Sequence, residues 1–502
     1  GYIKINNKNI FDLINMQLID LDLFMREINL KNCRILNEII DRIGCLNDLG
    51  LGYLTLNRKS STLSGGESQR INLATCIGSN LTGSLYVLDE PSIGLHSHDT
   101  KKLIKILKKL KNLGNTVIVV EHDDEIIRSA DYIFDIGPNA GSLGGYLVGQ
   151  GEFNEFIKSN TLTAKYLKNE LNISLPNKER LSKNYINIYG IRENNLKNIN
   201  VSFPLNKFVT ITGVSGSGKS TLINKILYPA ILNNLKDFSK KPGEFDKISG
   251  NIEKIEFVEY ISQKAIGKSS RSNPVTYIKA YDEIRKLFAS IRESKLRYYK
   301  PKHFSFNVEG GRCTHCKGDG TISIEMQFMP DVTLQCENCN GKRFKKEILE
   351  IKFGNKNISE ILNFSVDQAI KFFYQKNEQI IAKKIQPLKD VGLGYVKLGQ
   401  SSNTLSGGEA QRIKLALFLS KGNTKEKTLF IFDEPTTGLH FHDINNLLNS
   451  FYALIDKGHT IICIEHNMDV IKCADWIIDL GPEGGSNGGQ VVFEGTPDKI
   501  MQ

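Results

Sequence analysis

No apolar stretch in this chain approaches the ~18 residues that a membrane helix needs, and no signal peptide is expected at its start. A membrane-spanning transporter subunit is therefore disfavoured, and the expectation is a cytoplasmic chain. A regular disulfide framework is missing as well. Of the nine cysteines, four fall into the pairs Cys313/Cys316 and Cys336/Cys339, while Cys33, Cys45, Cys76, Cys463 and Cys473 are scattered. Scattered cysteines are most simply small buried hydrophobes in a reducing compartment. Position 1 is Gly rather than Met, as expected of a fragment or a processed chain. The composition is not extreme: 40% hydrophobic and 24% charged residues are ordinary for a globular protein. A length of 502 residues argues for about three domains. The net charge of +10 permits an acidic partner such as nucleic acid without identifying one. It equally fits the Lys-, Asn- and Ile-rich usage of an AT-rich genome.

One absence is internal. The phrase Leu63-Ser64-Gly65-Gly66-Glu67, then Asp89-Glu90-Pro91 and Glu121-His122, recurs as Leu405-Ser406-Gly407-Gly408-Glu409, Asp433-Glu434-Pro435 and Glu465-His466. Only the second copy is preceded by a glycine-rich loop, Gly213-Val214-Ser215-Gly216-Ser217-Gly218-Lys219-Ser220. The chain therefore reads as a first head without its front (1–170), a linker (171–184), and a second head (185–502). An insertion at about 264–400 separates the second loop from its own phrase. Strands alternating with helices in both halves predict an α/β fold with a mainly parallel sheet.

The loop matches G-x-x-x-x-G-K-[ST], with an apolar strand before it and a helix after it. Glycines let backbone N–H groups curl round phosphate oxygens, and the helix start adds partial positive charge. Lys219 is expected to bridge the β- and γ-phosphates of ATP, and Ser220, followed by Thr221, to ligate Mg²⁺. Asp433 and Glu434 end the apolar run Leu429-Phe430-Ile431-Phe432. The first is placed to hold Mg²⁺ and the second to polarise the attacking water. His466, at the end of the next apolar run, can sense the γ-phosphate, and Gln263 can couple Mg²⁺ to the insertion. Each Ser-Gly-Gly-Glu phrase precedes a helix. Paired glycines allow close approach to a phosphate, and Ser64 or Ser406 adds a hydroxyl; the plain alternative is an N-cap with Glu in the first turn.

Cys313-x2-Cys316-x19-Cys336-x2-Cys339 has the spacing of a zinc ribbon, with a redox dithiol pair or iron as the alternatives. Between the pairs, Ile322, Ile324, Met326 and Phe328 alternate with polar residues, which predicts a strand turned back at Met329-Pro330-Asp331. A closed four-thiolate site leaves no ligand position open for catalysis. Lys101 to Lys111 spell a basic amphipathic helix, expected to pack its Leu/Ile stripe on the first sheet.

Loop, Gln, signature, Asp-Glu and His in this order resemble the ABC-type ATPases. The detail is similar to the UvrA family, the damage-sensing ATPases of bacterial nucleotide excision repair. That likeness rests on the loop, Asp89 to His96, Asp433 to His440, Arg271-Ser272-Asn273-Pro274, the cysteine module and Asp479 to Gly485. The resemblance implies tandem ABC heads with helical signature subdomains. It implies one ATP site made of Gly213 to Thr221, Gln263, Asp433, Glu434 and His466 facing Ser64, Gly65 and Gly66. It implies a mate in which Asp89, Glu90 and His122 face Ser406, Gly407 and Gly408 without a loop of their own. The missing front should carry the docking region for the UvrB-type helicase, a flexible insertion and another zinc module. The implied partners are double-stranded DNA, especially damaged, that helicase, and a second copy in a homodimer. Lys268, Arg271, Arg312, Lys342 and Arg343 are the expected DNA contacts, suited to a sensor that ignores sequence. Two rivals remain: a UvrA-like paralogue serving drug resistance, and a DNA- and zinc-binding module without turnover.

Overall fold

Apolar runs such as Leu429–Phe432 are too continuous for strands with one wet face, and they form the interior of a six-stranded sheet. Its order is Phe257–Ile261, Thr428–Asp433, Thr460–Ile464, Phe208–Gly213, Trp476–Gly481, Gln490–Gly495. Every neighbouring pair is parallel except the last. The computed structural model describes residues 2–500 apart from 29–32, 61–62, 64, 79–81, 96, 174, 177–179, 181, 263–265, 268, 270, 325–331 and 421–425. Within the expected linker, only part therefore falls among the described residues.

Both faces of the sheet are covered. Phe430, Phe432, Ile461 and Cys463 pack with the helices Gly407–Ser420 and Phe441–Asp456. The same buried cluster runs into the insertion through Phe288, Phe304 and Phe373, so the insertion shares the core of the head that carries it. On the other face Val209, Ile211, Leu429, Ile431, Ile462 and Ile464 meet the helix that follows the loop and a three-stranded antiparallel sheet. This topology sets the C-terminal ends of Phe208–Gly213, Thr428–Asp433 and Thr460–Ile464 side by side. Ligands of parallel sheets bind at that edge.

The first half repeats part of this pattern. Leu85–Asp89 pairs parallel with Thr116–Val120, and Ile133–Gly137 pairs antiparallel with Tyr146–Gly151. In the second half the loop strand Phe208–Gly213 joins the corresponding pairs; among the described residues no strand joins them here. The helix Ser97–Asn112 covers one face, burying Leu103, Ile106 and Leu110 and leaving most of its lysines outward, as the sequence predicts. The other face carries Leu85, Val87, Ile118, Val120, Phe134 and Ile136, all exposed. Their repeat counterparts Leu429, Ile431, Ile462, Ile464, Ile478 and Leu480 are all buried.

The asymmetry predicts opposite costs at equivalent positions. Val87 is 64% exposed and Ile431 0%. Ile431→Ala is expected to destabilise the second head by about 2–5 kcal/mol, and Val87→Ala to stay within about 0.5 kcal/mol. Denaturant melts of the two variants check this; equal losses would contradict it.

Candidate functional site

The loop is held by glycine backbone at its sharpest points. Gly216 and Gly218 have φ of 78° and 109°, in the left-handed region that a side chain would strain. A Cβ on Gly216 would also lie 2.9 Å from the ring of Tyr53, a residue of the first half. Lys219 is buried, and its Nζ donates to the carbonyls of Gly213 and Val214 at 2.8 Å each. Burial pushes its pKa down to about 8, against the pull of Glu434, Asp479 and Asp433. Ser220 is exposed at the helix start, and Thr221 Oγ1 accepts from Asn194 at 3.3 Å. The helix beyond includes a π-helical stretch, Leu222–Leu227. Asn195 and the Gly484-Gly485 turn brace the crest: Asn195 Nδ2 and Gly485 N both donate to the carbonyl of Gly216, at 3.0 and 3.1 Å.

Asp433 and Glu434 leave the end of their strand beside the loop. Tyr260 Oη donates to Asp433 Oδ2 at 2.7 Å. Burial raises the Asp433 carboxyl, and burial with Asp433 alongside pushes Glu434 up to about 7. Glu434 has φ 48° and Glu90, its counterpart, 47°. A non-glycine residue held there costs of order 1–3 kcal/mol, and such strain clusters at functional sites. His466 Nε2 stands 3.7 Å from Glu434 Oε1, and His122 Nε2 3.4 Å from Glu90 Oε1. The hydrogen bond to Glu90 raises the His122 pKa, although burial opposes it.

Each half ties its parts together in the same way. Glu465 accepts from Thr436 N and Oγ1 and from His466 N; Glu121 accepts from Ser92 N and Oγ and from His122 N. Gln411 Nε2 donates to Asp433 O at 2.7 Å, and Gln69 Nε2 to Asp89 O at 3.0 Å. Gly66 and Gly408 have no room for a Cβ, which would meet Ile93 O at 2.3 Å and Thr437 O at 2.7 Å. Ser406 caps its helix: its Oγ accepts from Glu409 N at 3.2 Å while Glu409 accepts from Ser406 N at 2.9 Å. Both the close-approach and the N-cap readings of this phrase thus have a geometric basis.

The halves meet at this edge. Tyr53 Oη hydrogen-bonds Ser215 Oγ at 3.0 Å, and Arg70 Nη2 donates to the same oxygen at 3.4 Å. Both residues belong to the first half, and Ser215 is in the loop of the second. The Gly94 turn lies against Glu434 and the Gly438 turn against Glu90, so that a Cβ on either glycine would stand about 3 Å from a carboxylate oxygen. Glu90, His122, Glu434 and His466 line one cavity of about 130 Å³ at this junction. The loop is thus brought to the signature helix of the opposite half. Asp89, Glu90 and His122 are expected to face Ser406, Gly407 and Gly408; Glu90 lies against the Gly438 turn. Ser64, Gln263 and Lys268 lie outside the described residues; Gly65 opens the helix Gly65–Gly78, and Gly407 the helix Gly407–Ser420.

Tyr53, Arg70 and Tyr260 do not figure in the sequence-based site. A signal for Tyr53 exists in the repeat: Tyr53–Glu67 and Tyr395–Glu409 are hydrogen-bonded pairs with the same separation of 14 residues. Tyr260 has no such counterpart, because the first half offers no equivalent strand among the described residues.

The four module cysteines are buried, with ligand sulfurs all within 4.8 Å of one another. Cys316 and Cys339 sulfurs are 3.6 Å apart, close to the roughly 3.8 Å edge of a tetrahedron with Zn–S bonds of about 2.3 Å. Thr321–Ile324 and Val332–Gln335 form the antiparallel hairpin between the pairs; Met326 to Asp331 lie outside the described residues. Apart from the cysteines, Ile322 is the one hydrophobic residue among the described residues that packs in this cluster, so a bound zinc would take the place of a core. The basic residues differ in setting. Lys342 is exposed, Arg271 reaches Asp319 of the module at 3.3 Å, and Arg312 pairs with Glu309 at 3.4 Å. Arg343 turns inward, its guanidinium 5.5 Å from the Phe306 ring centre, and burial lowers its pKa. Of the four, Lys342 is the one presented most openly to a phosphate.

No helix among the described residues is long and apolar enough to cross a membrane. No protein-family model matches the chain. It is 54% identical over 511 residues to UvrABC system protein A of Aquifex aeolicus, covering 100% of this chain and 55% of that one. It is 52% identical to the protein of the same name from Clostridium perfringens, covering 99% and 54%. Among solved structures it is similar to UvrA2 from Deinococcus radiodurans, with TM-score 0.92, 39% identity, and 99% and 62% coverage. The chain thus spans about half the length of the curated relatives it matches.

Proposed function

We propose that this chain is a UvrA-type ABC ATPase that binds and hydrolyses ATP at one composite site, a reading supported by its 54% identity to UvrABC system protein A across the whole of this chain. The observation that carries this reading is the meeting of Ser215 with Tyr53 and Arg70: a phosphate loop from one half closed by the signature helix of the other. Backbone N–H groups of Gly213 to Ser220 would wrap the phosphates, with Lys219 supplying the charge. Ser220 and Asp433 would hold Mg²⁺, which neutralises charge on the phosphate oxygens when bound. Water adds to the terminal phosphorus, the bond to ADP breaks, and Glu434 takes the proton, with His466 beside it. Asp89, Glu90 and His122 would serve the mate site, whose loop this sequence does not contain.

The pH dependence follows from the two perturbed groups. Glu434 must be ionised to act as base, and Lys219 protonated to hold phosphate. Since kcat/KM reports the free enzyme, it is expected to rise as pH passes about 7 and to fall as pH passes about 8. A pH–rate profile flat from pH 6 to pH 9 would contradict these roles.

The broader role proposed is recognition of damaged double-stranded DNA in cytoplasmic excision repair, with a UvrB-type helicase and a second copy as partners. The cysteine module would hold zinc and brace a DNA-facing hairpin. Lys342, Lys268, Arg271 and Arg312 remain the candidate phosphate contacts, and Arg343 supports the module from inside. The 54% identity to UvrABC system protein A of Aquifex aeolicus supports this reading. ATP turnover measured with and without damaged duplex tests it. DNA-sensitive turnover supports the reading; ATP and DNA binding without turnover would leave the non-catalytic module.

A further inference from the structure

Arg70 lies on the signature helix of the first half, only 2% exposed. Its Nη2 reaches Ser215 Oγ at 3.4 Å, while Nε and Nη1 have no hydrogen-bond partner. A guanidinium does not deprotonate in proteins, and a buried charge with idle donors is costly. Evolution of a stable core would replace it; a ligand that arrives with negative charge would explain it. Its location identifies the ligand. Arg70 abuts the crest of the phosphate loop, and its charge is felt by Glu434, the candidate base. The base must stand beside the terminal phosphorus to activate water. A group touching the loop and acting on that base therefore lies on the terminal-phosphate side. Arg412 holds the same position in the repeat, 3% exposed and with Nη1 also unpartnered, on the helix facing the mate site.

We propose that Arg70 acts in trans on the nucleotide held by the opposite half, donating its idle N–H groups to the terminal phosphate of ATP. This rests on the ATP-site reading above. As the water oxygen bonds to the terminal phosphorus, the P–O bond to ADP breaks with its electron pair going to ADP. The water proton passes to Glu434, and Arg70 offsets the charge on the phosphoryl oxygens. Product ADP lacks the group that Arg70 grips.

The test compares Arg70→Met and Arg70→Lys with wild type for binding of ADP and of AMP-PNP, and for turnover. In Arg70→Met, AMP-PNP affinity is expected to fall at least about tenfold and turnover at least about a hundredfold. ADP affinity stays within about twofold, which also reports a folded site. Arg70→Lys recovers part of the AMP-PNP affinity and little turnover, because an ammonium cannot reproduce the planar fork. A Met variant with wild-type preference for AMP-PNP over ADP overturns the proposal and leaves the ATP site standing. Equal loss of both ligands assigns Arg70 to structure and overturns it as well. If wild type binds neither nucleotide, the ATP-site reading fails and the trans arginine falls with it.

Discussion

Lys219→Met is expected to reduce ATP turnover at least about a thousandfold while leaving the melting temperature at pH 7 unchanged or raised. The two effects have separate causes. On the proposed reading turnover depends on the charge, because Lys219 supplies the buried ammonium that meets the phosphates. Stability pays for that charge. The folded-state pKa of Lys219 is depressed to about 8, below its ordinary value near 10.4. The cost of burial is therefore fully present below about pH 8 and fades as pH rises toward 10.4, where the unfolded chain also loses its proton. Removing the charge relieves that cost at pH 7, offset by the lost bonds to Gly213 O and Val214 O. ATP turnover assays, and thermal melts at pH 7 and pH 10, check both halves. A variant that melts well below wild type at pH 7 would mean that Lys219 is chiefly a structural brace.

Cys336→Ser is expected to strip zinc from the module and melt its hairpin, with little effect on the six-stranded sheet. Among the described residues the module's buried cluster is the four cysteines with Ile322 packed against them, and it is separate from the cluster around Phe430 and Phe432. Structural zinc contributes on the order of 10 kcal/mol of binding energy to folding, far more than one exposed hairpin supplies. Metal analysis should give one zinc for wild type and nearly none for the variant. Limited proteolysis should open new cuts near residues 313–345. Unchanged zinc content would show that three thiols suffice or that the metal sits elsewhere. Loss of the whole fold would show that the module nucleates the head.

Much of this architecture was readable because the chain states it twice. The strand ends at Asp433 and Cys463-Ile464, the loop after Val209–Thr212, and the cysteine hairpin all follow from apolar runs and spacing. The asymmetry of the halves was readable too, as a loop present once. What escaped was contact across the halves. Tyr53 recurs in the repeat as Tyr395, but its partner Ser215 is 162 residues away, so neither periodicity nor spacing predicts their hydrogen bond. Arg70 reads as one more polar residue in an ordinary helix until its burial is seen. Arg343 reads as surface charge in a basic stretch, yet the close turns of the cysteine knuckles swing it onto Phe306. Tertiary placement decided each of these, and a linear pattern carries no term for it.

The central claim is that the two halves of one chain complete one ATP site between them. Mixing two inactive chains tests it most directly. Lys219→Met spoils the loop, and Gly66→Ala spoils the opposing helix start, where a Cβ would lie 2.3 Å from Ile93 O. If loop and signature of the same chain form the site, each variant is inactive alone and a mixture stays inactive at every protein concentration. Wild-type turnover per chain is then independent of concentration. Recovery of turnover on mixing, rising with concentration, would show that the loop is completed by a second chain and would contradict the account.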